Sequence, residues 1–311
     1  MTDVIDRFAA MSADEVNEFF RSSDVLEITA VIAGASDDDL RRLIDLDHFR
    51  AEGVSAILDR FPEFADDARL REIEGVVRFE LARGKRDVER HTARFEGGAV
   101  TLDPGAVPHV TITADIVDFV RLVTGQSNAA LLYLGGRLGI DGHALLALAV
   151  GSVFTVPGSD QAAVDPASLD PVDVATAVAT TSGKHMRSVM EGEFRPIVLA
   201  EVFRRFPEFI DPGKAADLAL SVGFRIGGRR DGEVDRYVVH VRDGVCTIEA
   251  DPPQGQRRDA TITVDGADFL RLATGQLHPV RGVLTGALKV RGDRAKALAL
   301  NAVMVPPQPR R

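Results

Sequence analysis

Hydrophobic residues recur along this chain in two rhythms. Over the first sixty positions they come three and four apart. Ser12-Ala13-Asp14-Glu15 has the form of a capping box ahead of Val16 and Phe19-Phe20. Ser36 is followed by three aspartates and then Leu40, Leu43 and Ile44, which reads as an N-cap, an acidic first turn and an apolar stripe. A third helix is expected over 49–61, with Val54, Ile57 and Leu58 on one face, and Pro62 cannot continue it. From residue 77 the period falls to two. Val77, Phe79 and Leu81 alternate with Arg78, Glu80 and Ala82, the pattern of a half-buried strand. Further short strands are expected over 91–96, 99–103 and 110–114, separated by turns at Gly97-Gly98 and Asp103-Pro104-Gly105. Asp115 then caps a helix carrying Ile116, Phe119, Val120 and Val123, which Gly125 stops. A second apolar segment over 129–134, a strand over 136–140 and a last helix over 145–154 complete the series.

The series then repeats. Arg60-Phe61-Pro62-Glu63-Phe64 returns as Arg205-Phe206-Pro207-Glu208-Phe209. Thr111-Ile112-Thr113, Asp118-Phe119 and Thr124-Gly125-Gln126 return as Thr261-Ile262-Thr263, Asp268-Phe269 and Thr274-Gly275-Gln276. The offset is 145 at the first motif and 150 at the later ones, so the second copy carries about five extra residues between them. A period this long is a whole domain present twice, since solenoid repeats run roughly 20–50 residues. Strands are expected over 220–224, 237–241, 245–249, 261–264 and 288–290, with helices over 267–273 and 295–303. The expected fold is therefore α+β: two similar domains, each a mostly antiparallel five-stranded sheet covered by helices, reading as a four-strand meander, then helix, strand and helix. Extra helices precede the first. The first domain is placed at 1–158, a Pro-, Asp-, Ala- and Ser-rich linker at 159–171, and the second domain at 172–311.

Composition narrows the function. A formal net charge of −10 argues against a general nucleic-acid binder. One cysteine, Cys246, excludes an intrachain disulfide or a multi-cysteine zinc site. The N-terminus lacks the form of a signal peptide and no run has the length to span a bilayer, so a cytoplasmic location is expected. The seven histidines show no metal-ligand spacing. Gly125-Gln126-Ser127-Asn128-Ala129 lacks the last glycine of a nucleophile elbow, follows a helix, and has Leu277 at the serine position of the second copy. Gly135-Gly136-Arg137-Leu138-Gly139 lacks dinucleotide-binding spacing. No catalytic residue, cofactor or metal is assigned.

The second copy resembles the sterol carrier protein type-two family, the nonspecific lipid-transfer fold. The residues that carry this are Asp268 through Gln276, His278-Pro279, Leu284-Thr285-Gly286 and Leu288 through Asp293. The first copy matches in part: Leu134-Gly135-Gly136-Arg137-Leu138-Gly139-Ile140 is recognisable, but His143 stands where Asp293 stands. The resemblance covers 75–154 and 220–304, leaving the N-terminal helices largely outside. It implies a sheet-and-helix shell around a hydrophobic tunnel that carries a fatty acid, acyl-CoA, phospholipid or sterol without catalysis, and in some relatives an accessory role beside an enzyme.

On that resemblance, the tunnel candidates are Phe119, Val123, Leu131, Leu132, Leu134, Leu138, Ile140, Leu145 and Leu148 in the first copy. In the second they are Phe269, Leu272, Val283, Leu284, Leu288 and Leu298. Phe154, Val290 and Val303 sit at the same spacing. The competing reading of each is ordinary core. The first hairpin of each copy is basic: Arg83, Lys85, Arg86 and Arg90, then Arg225, Arg229, Arg230 and Arg236. These are candidates for transient contact with an anionic membrane, against the alternative of solvated turns. The expected partner is a lipid or another long apolar molecule, with a scaffold protein whose pockets are closed as the alternative. Oligomeric state is left open.

Overall fold

The computed structural model describes residues 2–84, 87–153, 169–253 and 255–310. The expected linker lies mostly outside these residues, as do Phe154, Lys85 and Arg86. The chain divides into two compact units, 1–165 and 166–311.

Unit 1 opens with α1 (Thr2–Ala9), α2 (Ala13–Ser22), α3 (Val25–Gly34), α4 (Asp37–Ile44) and α5 (Asp47–Asp59). Both expected N-caps form: the Ser12 and Ser36 hydroxyls accept backbone N–H groups three residues on, and Glu15 and Asp39 reach back to close capping boxes. A 3-10 turn, Phe61–Phe64, and the short α6 (Asp67–Leu70) lead into β1 (Gly75–Arg83), β2 (Asp87–Glu96), β3 (Ala99–Leu102) and β4 (Val110–Asp115). Then come α7 (Ile116–Val123), α8 (Ala129–Leu134), β5 (Leu138–Gly142) and α9 (Ala144–Val153). Unit 2 follows with α10 (Pro171–Thr180), α11 (Gly183–Glu191), α12 (Arg195–Arg205), a 3-10 turn at Phe206–Phe209, β6 (Ala219–Gly227), β7 (Asp235–Arg242), β8 (Val245–Ala250) and β9 (Ala260–Asp265). It ends with α13 (Gly266–Ala273), α14 (Pro279–Thr285), β10 (Leu288–Gly292) and α15 (Arg294–Val303).

Each sheet has five strands, in the orders β3-β2-β1-β4-β5 and β10-β9-β6-β7-β8. The sequence suggested a four-strand meander, and the structure corrects this. The fourth strand does not pair with the third. It crosses back to lie parallel to the first, Val77 beside Val110 and Val222 beside Ala260, while the remaining pairings are antiparallel. The crossing is pinned at its end. His109 Nδ1 accepts the Val76 N–H at 3.0 Å, and in unit 2 Asp259 accepts the Ser221 N–H at 2.7 Å. Gly142 and Gly292 complete this corner. Both hold positive φ, and a Cβ there would lie 2.5 and 2.4 Å from the carbonyl oxygens of His109 and Asp259.

The register locates the extra residues of the second copy. One lies in the first hairpin, between the pairs Leu81–Glu89 and Ile226–Asp235. Four lie between the third and fourth strands, in the loop that carries Arg257 and Arg258.

The repeated motifs are structural. Arg60 pairs with Glu63 and donates to the carbonyls of Phe20 and Ser23 (2.5 and 2.9 Å), tying the 3-10 turn to the end of α2. Arg205 pairs with Glu208 and donates to the carbonyl of Leu169, just before α10. The hydroxyls of Thr124 and Thr274 are buried and donate to Val120 and Leu270 carbonyls at 2.7 and 2.8 Å, closing α7 and α13. The aromatic contacts between the helical segments and the sheet lie on its apolar face. Phe79 meets Phe119 and Phe61 meets Phe95 in unit 1; Phe203 stacks on Tyr237 at 3.8 Å and on Phe269 in unit 2.

The helices before β1 and β6 also correspond. Arg121 on α7 donates to Asp37 and to the Ala35 carbonyl at the start of α4. Arg271, its counterpart on α13, lies against Gly183 at the start of α11. Thus α3, α4 and α5 match α10, α11 and α12, and the repeat reaches further upstream than its sequence motifs. Among the described residues, α1 and α2 have no counterpart in unit 2.

Candidate functional site

Four of the nine first-copy candidates join one buried cluster: Phe119, Val123, Leu132 and Leu138, with Ile140 packed against it. Leu134 is buried outside that cluster, and Leu131 and Leu148 are half-buried. Leu145 is 56% exposed, because the buried side of α9 is formed instead by Ala144, Leu146, Ala147, Val150 and Val153. In unit 2, Phe269 and Leu288 are buried and Leu272 is half-buried. Leu298 is 54% exposed and Leu284 82%.

Leu284 does not stand alone. Val280, Val283 and Leu284 share the i, i+3, i+4 face of α14, and all three are exposed. Their counterparts on α8 are Ala130, Tyr133 and Leu134; the first two are half-buried and the last is buried. Gly282 faces inward on α14, where Leu288 lies within 2.8 Å of the position a Cβ would take. The helix therefore sits close to β10 on its small side and presents its large apolar side chains outward.

A second apolar region lies among the helices of unit 1. Phe8, Phe19, Phe20 and Phe49 meet edge to face, with ring centroids 4.8–6.2 Å apart. With Val54 on α5 and Val120 on α7 they border a cavity of about 50 Å³. An apolar cavity of roughly 150 Å³ holds one benzene, so this space is too small for a lipid tail as it stands. None of the tunnel candidates borders it. Its sequence signal was present as the apolar faces of α2, α4 and α5, which read as core.

Two ion pairs, one half-buried and one whose arginine is buried, occupy matched positions, and sequence reasoning missed both. Arg50 pairs with Glu89 on β2 and donates to the Ile44 carbonyl. Arg195 donates to Asp235 on β7 at 2.7 Å and to the carbonyls of Met190, Ile226 and Gly227. Arg195 is 4% exposed and Arg50 14%. Each clamps the helix before the sheet to the far end of the first hairpin. No local pattern could have shown them, since partners stand 39 and 40 residues apart.

The His143 substitution keeps its role. His143 Nδ1 accepts the Leu146 N–H at 3.1 Å, as Asp293 accepts those of Ala295 and Lys296. Asp118 is buried on α7 and pairs with Arg137; burial raises its carboxyl above the ordinary range, and Arg137 opposes that. Burial pushes the Cys246 thiol up to about 11, so it is protonated at neutral pH and a poor nucleophile. Among the described residues, no group of three or more His, Cys, Asp or Glu is placed to hold a metal ion, and no helix is long and apolar enough to cross a membrane.

The basic hairpins carry counter-charges for some of their cations, though Arg225 and Arg236 form no salt bridge among the described residues. Arg83 pairs with Asp87, Arg90 with Glu80, and Arg229 with Asp231 and Asp235.

The model of the SCP-2 sterol transfer family matches residues 54–155 and again 205–305. The chain belongs to the SCP-2 sterol transfer family. Both matches start upstream of the strands, within α5 and at the end of α12, and so take in the Phe-Pro-Glu-Phe turns. Human sterol carrier protein 2 is 30% identical over 84 residues, covering 27% of this chain and 15% of that protein. Hydroxysteroid dehydrogenase-like protein 2 of Xenopus tropicalis is 22% identical over 106 residues, covering 34% and 24%. The chain thus spans a minor part of the length of these relatives. Among solved structures, sterol carrier protein 2 like 2 from Aedes aegypti is 20% identical, covering 34% of this chain and 99% of that one, with a TM-score of 0.28. The two SCP-2 copies of this family member account for both sheets, while α1 to α4 and α10 to α11 lie outside the matched residues.

Proposed function

We propose that this protein binds a lipid of the fatty acid, acyl-CoA, phospholipid or sterol class by burying its apolar part, and moves it between sites without catalysing a reaction. The observation that carries this reading is the uncovered apolar face of α14, Val280, Val283 and Leu284, within a family-matched copy. A helix face of this kind gains by being covered. An acyl chain or sterol ring would cover it and would itself leave water, at about 0.8 kcal/mol per buried methylene. Exposed Leu298 on α15 and Leu145 on α9 extend the same character to the last helix of each copy. A second reading, that the lipid is presented to a separate enzyme, is supported by the family relationship to a hydroxysteroid dehydrogenase-like protein.

The test is binding of fluorescent fatty acids of increasing length. Affinity should rise roughly fourfold for each methylene that is fully buried. Leu284→Asp should weaken binding while leaving the fold intact, because the side chain is exposed. An affinity independent of chain length would sink the proposal, since burial must scale with apolar area.

A further inference from the structure

Each sheet has a second face, turned away from the helices, and the two copies charge it differently. Strand alternation and register place Arg78, Glu80, Arg90, Arg94, Glu96 and Asp141 on this face in unit 1. Half of these are ion-paired: Arg90 meets Glu80 at 2.9 Å and Arg94 meets Asp103 at 2.9 Å. On the same face of unit 2 stand Arg225, Arg236, Arg242, Lys289 and Arg291. Arg258 joins them from the loop that is four residues longer in this copy. Its side chain lies across Gly223, where a Cβ would fall 2.6 Å from its Cδ. Position by position, Glu80, Glu96 and Asp141 become Arg225, Arg242 and Arg291, and Gly139 becomes Lys289. Three carboxylates have become three arginines.

None of these six cations forms a salt bridge among the described residues. Arg225 and Arg236 even stand directly opposite each other across β6 and β7, an arrangement that opposes folding unless an anion lies between. Of the carboxylates on the face, Glu249 is engaged by His240 and Gln256, and Asp265 accepts the Ala267 N–H as the cap of α13. Thr261, Thr263 and Ser221 fill the space between the charges.

We propose that this outer sheet face of unit 2 docks the protein onto an anionic bilayer surface, an inference that rests on the lipid-carrier reading above. Three features favour a bilayer. The face is broad, five strands spanning roughly 20 Å, and its cations are spread rather than gathered around a pocket. It offers no aromatic ring on which a nucleic-acid base could stack. It also lacks the central aromatic or aliphatic anchor of a protein interface, its exposed large apolar side chain being Val245 at the β8 edge. The whole chain carries −10, so its net charge opposes an anionic membrane, and attraction depends on bringing this face within a Debye length, about 8 Å at physiological salt.

Flotation of the full chain with phosphatidylcholine vesicles, with and without phosphatidylserine, tests this. The protein should float only with the anionic vesicles and be released by high salt. Arg225→Glu, Arg242→Glu and Arg291→Asp together install the first copy's own residues and should lower vesicle partitioning at least about a hundredfold. If that variant unfolds, Lys289→Gly with Arg291→Asp on the edge strand β10 carries the test with a smaller loss. Binding that ignores headgroup charge, or that survives the triple substitution in a folded protein, would overturn the proposal. So would a wild-type dimer that the substitutions dissociate while vesicle binding persists. Fatty-acid uptake from solution is the separate readout. It should be unchanged in the triple variant, and its loss there would reassign the face to ligand capture. A wild type that floats yet takes up no fatty acid would leave docking standing and remove the carrier function.

Discussion

Arg50 in unit 1 and Arg195 in unit 2 occupy the same place in the repeat, and the two copies use it to different depths. Arg195 is enclosed, with Asp235 and three carbonyls as acceptors. Arg50 has Glu89, Asp47 and one carbonyl, is more exposed, and borders the phenylalanine-lined cavity. Around it, unit 1 has added α1 and α2, with Phe8, Phe19 and Phe20 packed over α5. The sheet, the 3-10 turn and the helix stop are shared. What differs is how each copy fixes the helix before the sheet: unit 2 with a buried polar clamp, unit 1 with a more exposed clamp and an aromatic cover. One backbone plan thus tolerates two solutions at the same joint, provided that each donor finds an acceptor.

The largest expected effect breaks the clamp. Arg195→Met leaves three carbonyls without their donor and Asp235 with Arg229 alone, and should destabilise unit 2 by about 3–5 kcal/mol. Arg50→Met should cost unit 1 about 2 kcal/mol, as its partners reach water. Hydrogen exchange resolved by unit would read both on the full chain. Equal losses would mean that the difference in burial does not set the strength of the clamp.

A smaller effect exchanges the cover. Gly53 on α5 admits the Phe20 ring, which would lie 3.2 Å from a Cβ there; unit 2 has Val198 at this position. Gly53→Val gains helix propensity but crowds a packed ring, and should destabilise unit 1 by about 1–3 kcal/mol. Val198→Gly should cost unit 2 only about 1 kcal/mol, mostly backbone entropy. A stabilised Gly53→Val variant would show that the 50 Å³ cavity absorbs the displaced ring.

Local chemistry was legible in the sequence; pairing across the fold was not. The capping boxes at Ser12 and Ser36, the Asp115 cap and the strand alternation at Val77, Phe79 and Leu81 are formed by neighbours, and they stand where the sequence put them. The crossover of β4 was hidden because parallel and antiparallel neighbours impose the same period of two. The final strand of the first copy was placed at 136–140 but runs Leu138–Gly142, since Gly135 and Gly136 close α8 rather than open a strand. Val283 and Leu284 were visible as an apolar pair, yet nothing local says that α14 turns them outward while α8 covers Leu134. The basic sheet face needed register, because its six cations come from three strands and a loop.

The smallest effect sharpens the comparison at the start of α7. Asp118 and Asp268 repeat in sequence, but Asp118 is buried against Arg137, whereas Asp268 keeps 30% of its side chain exposed beside Arg271 of its own helix. Burial raises the Asp118 carboxyl above the ordinary range, with Arg137 as the chief opposing influence. A raised acid value means that the folded unit holds this proton more tightly than the unfolded chain. The stability it contributes is therefore fully present below the ordinary carboxylate range and is lost as pH rises through the raised value. Asp118→Asn removes that dependence. Unit 1 of the variant should lose less stability between acid and neutral pH than the wild type, and at neutral pH it should be slightly the more stable. The forfeited ion pair costs at most about 1 kcal/mol, because Arg137 is 57% exposed. Arg137→Ala should act the other way. Without the guanidinium, the buried carboxylate has less to offset its desolvation, so the decline toward neutral pH should steepen. Urea unfolding followed by hydrogen exchange at a series of pH values measures the three slopes. The order expected is Arg137→Ala steepest, wild type intermediate and Asp118→Asn flattest. A wild type no steeper than Asp118→Asn would show that Arg137 fully compensates the burial of Asp118.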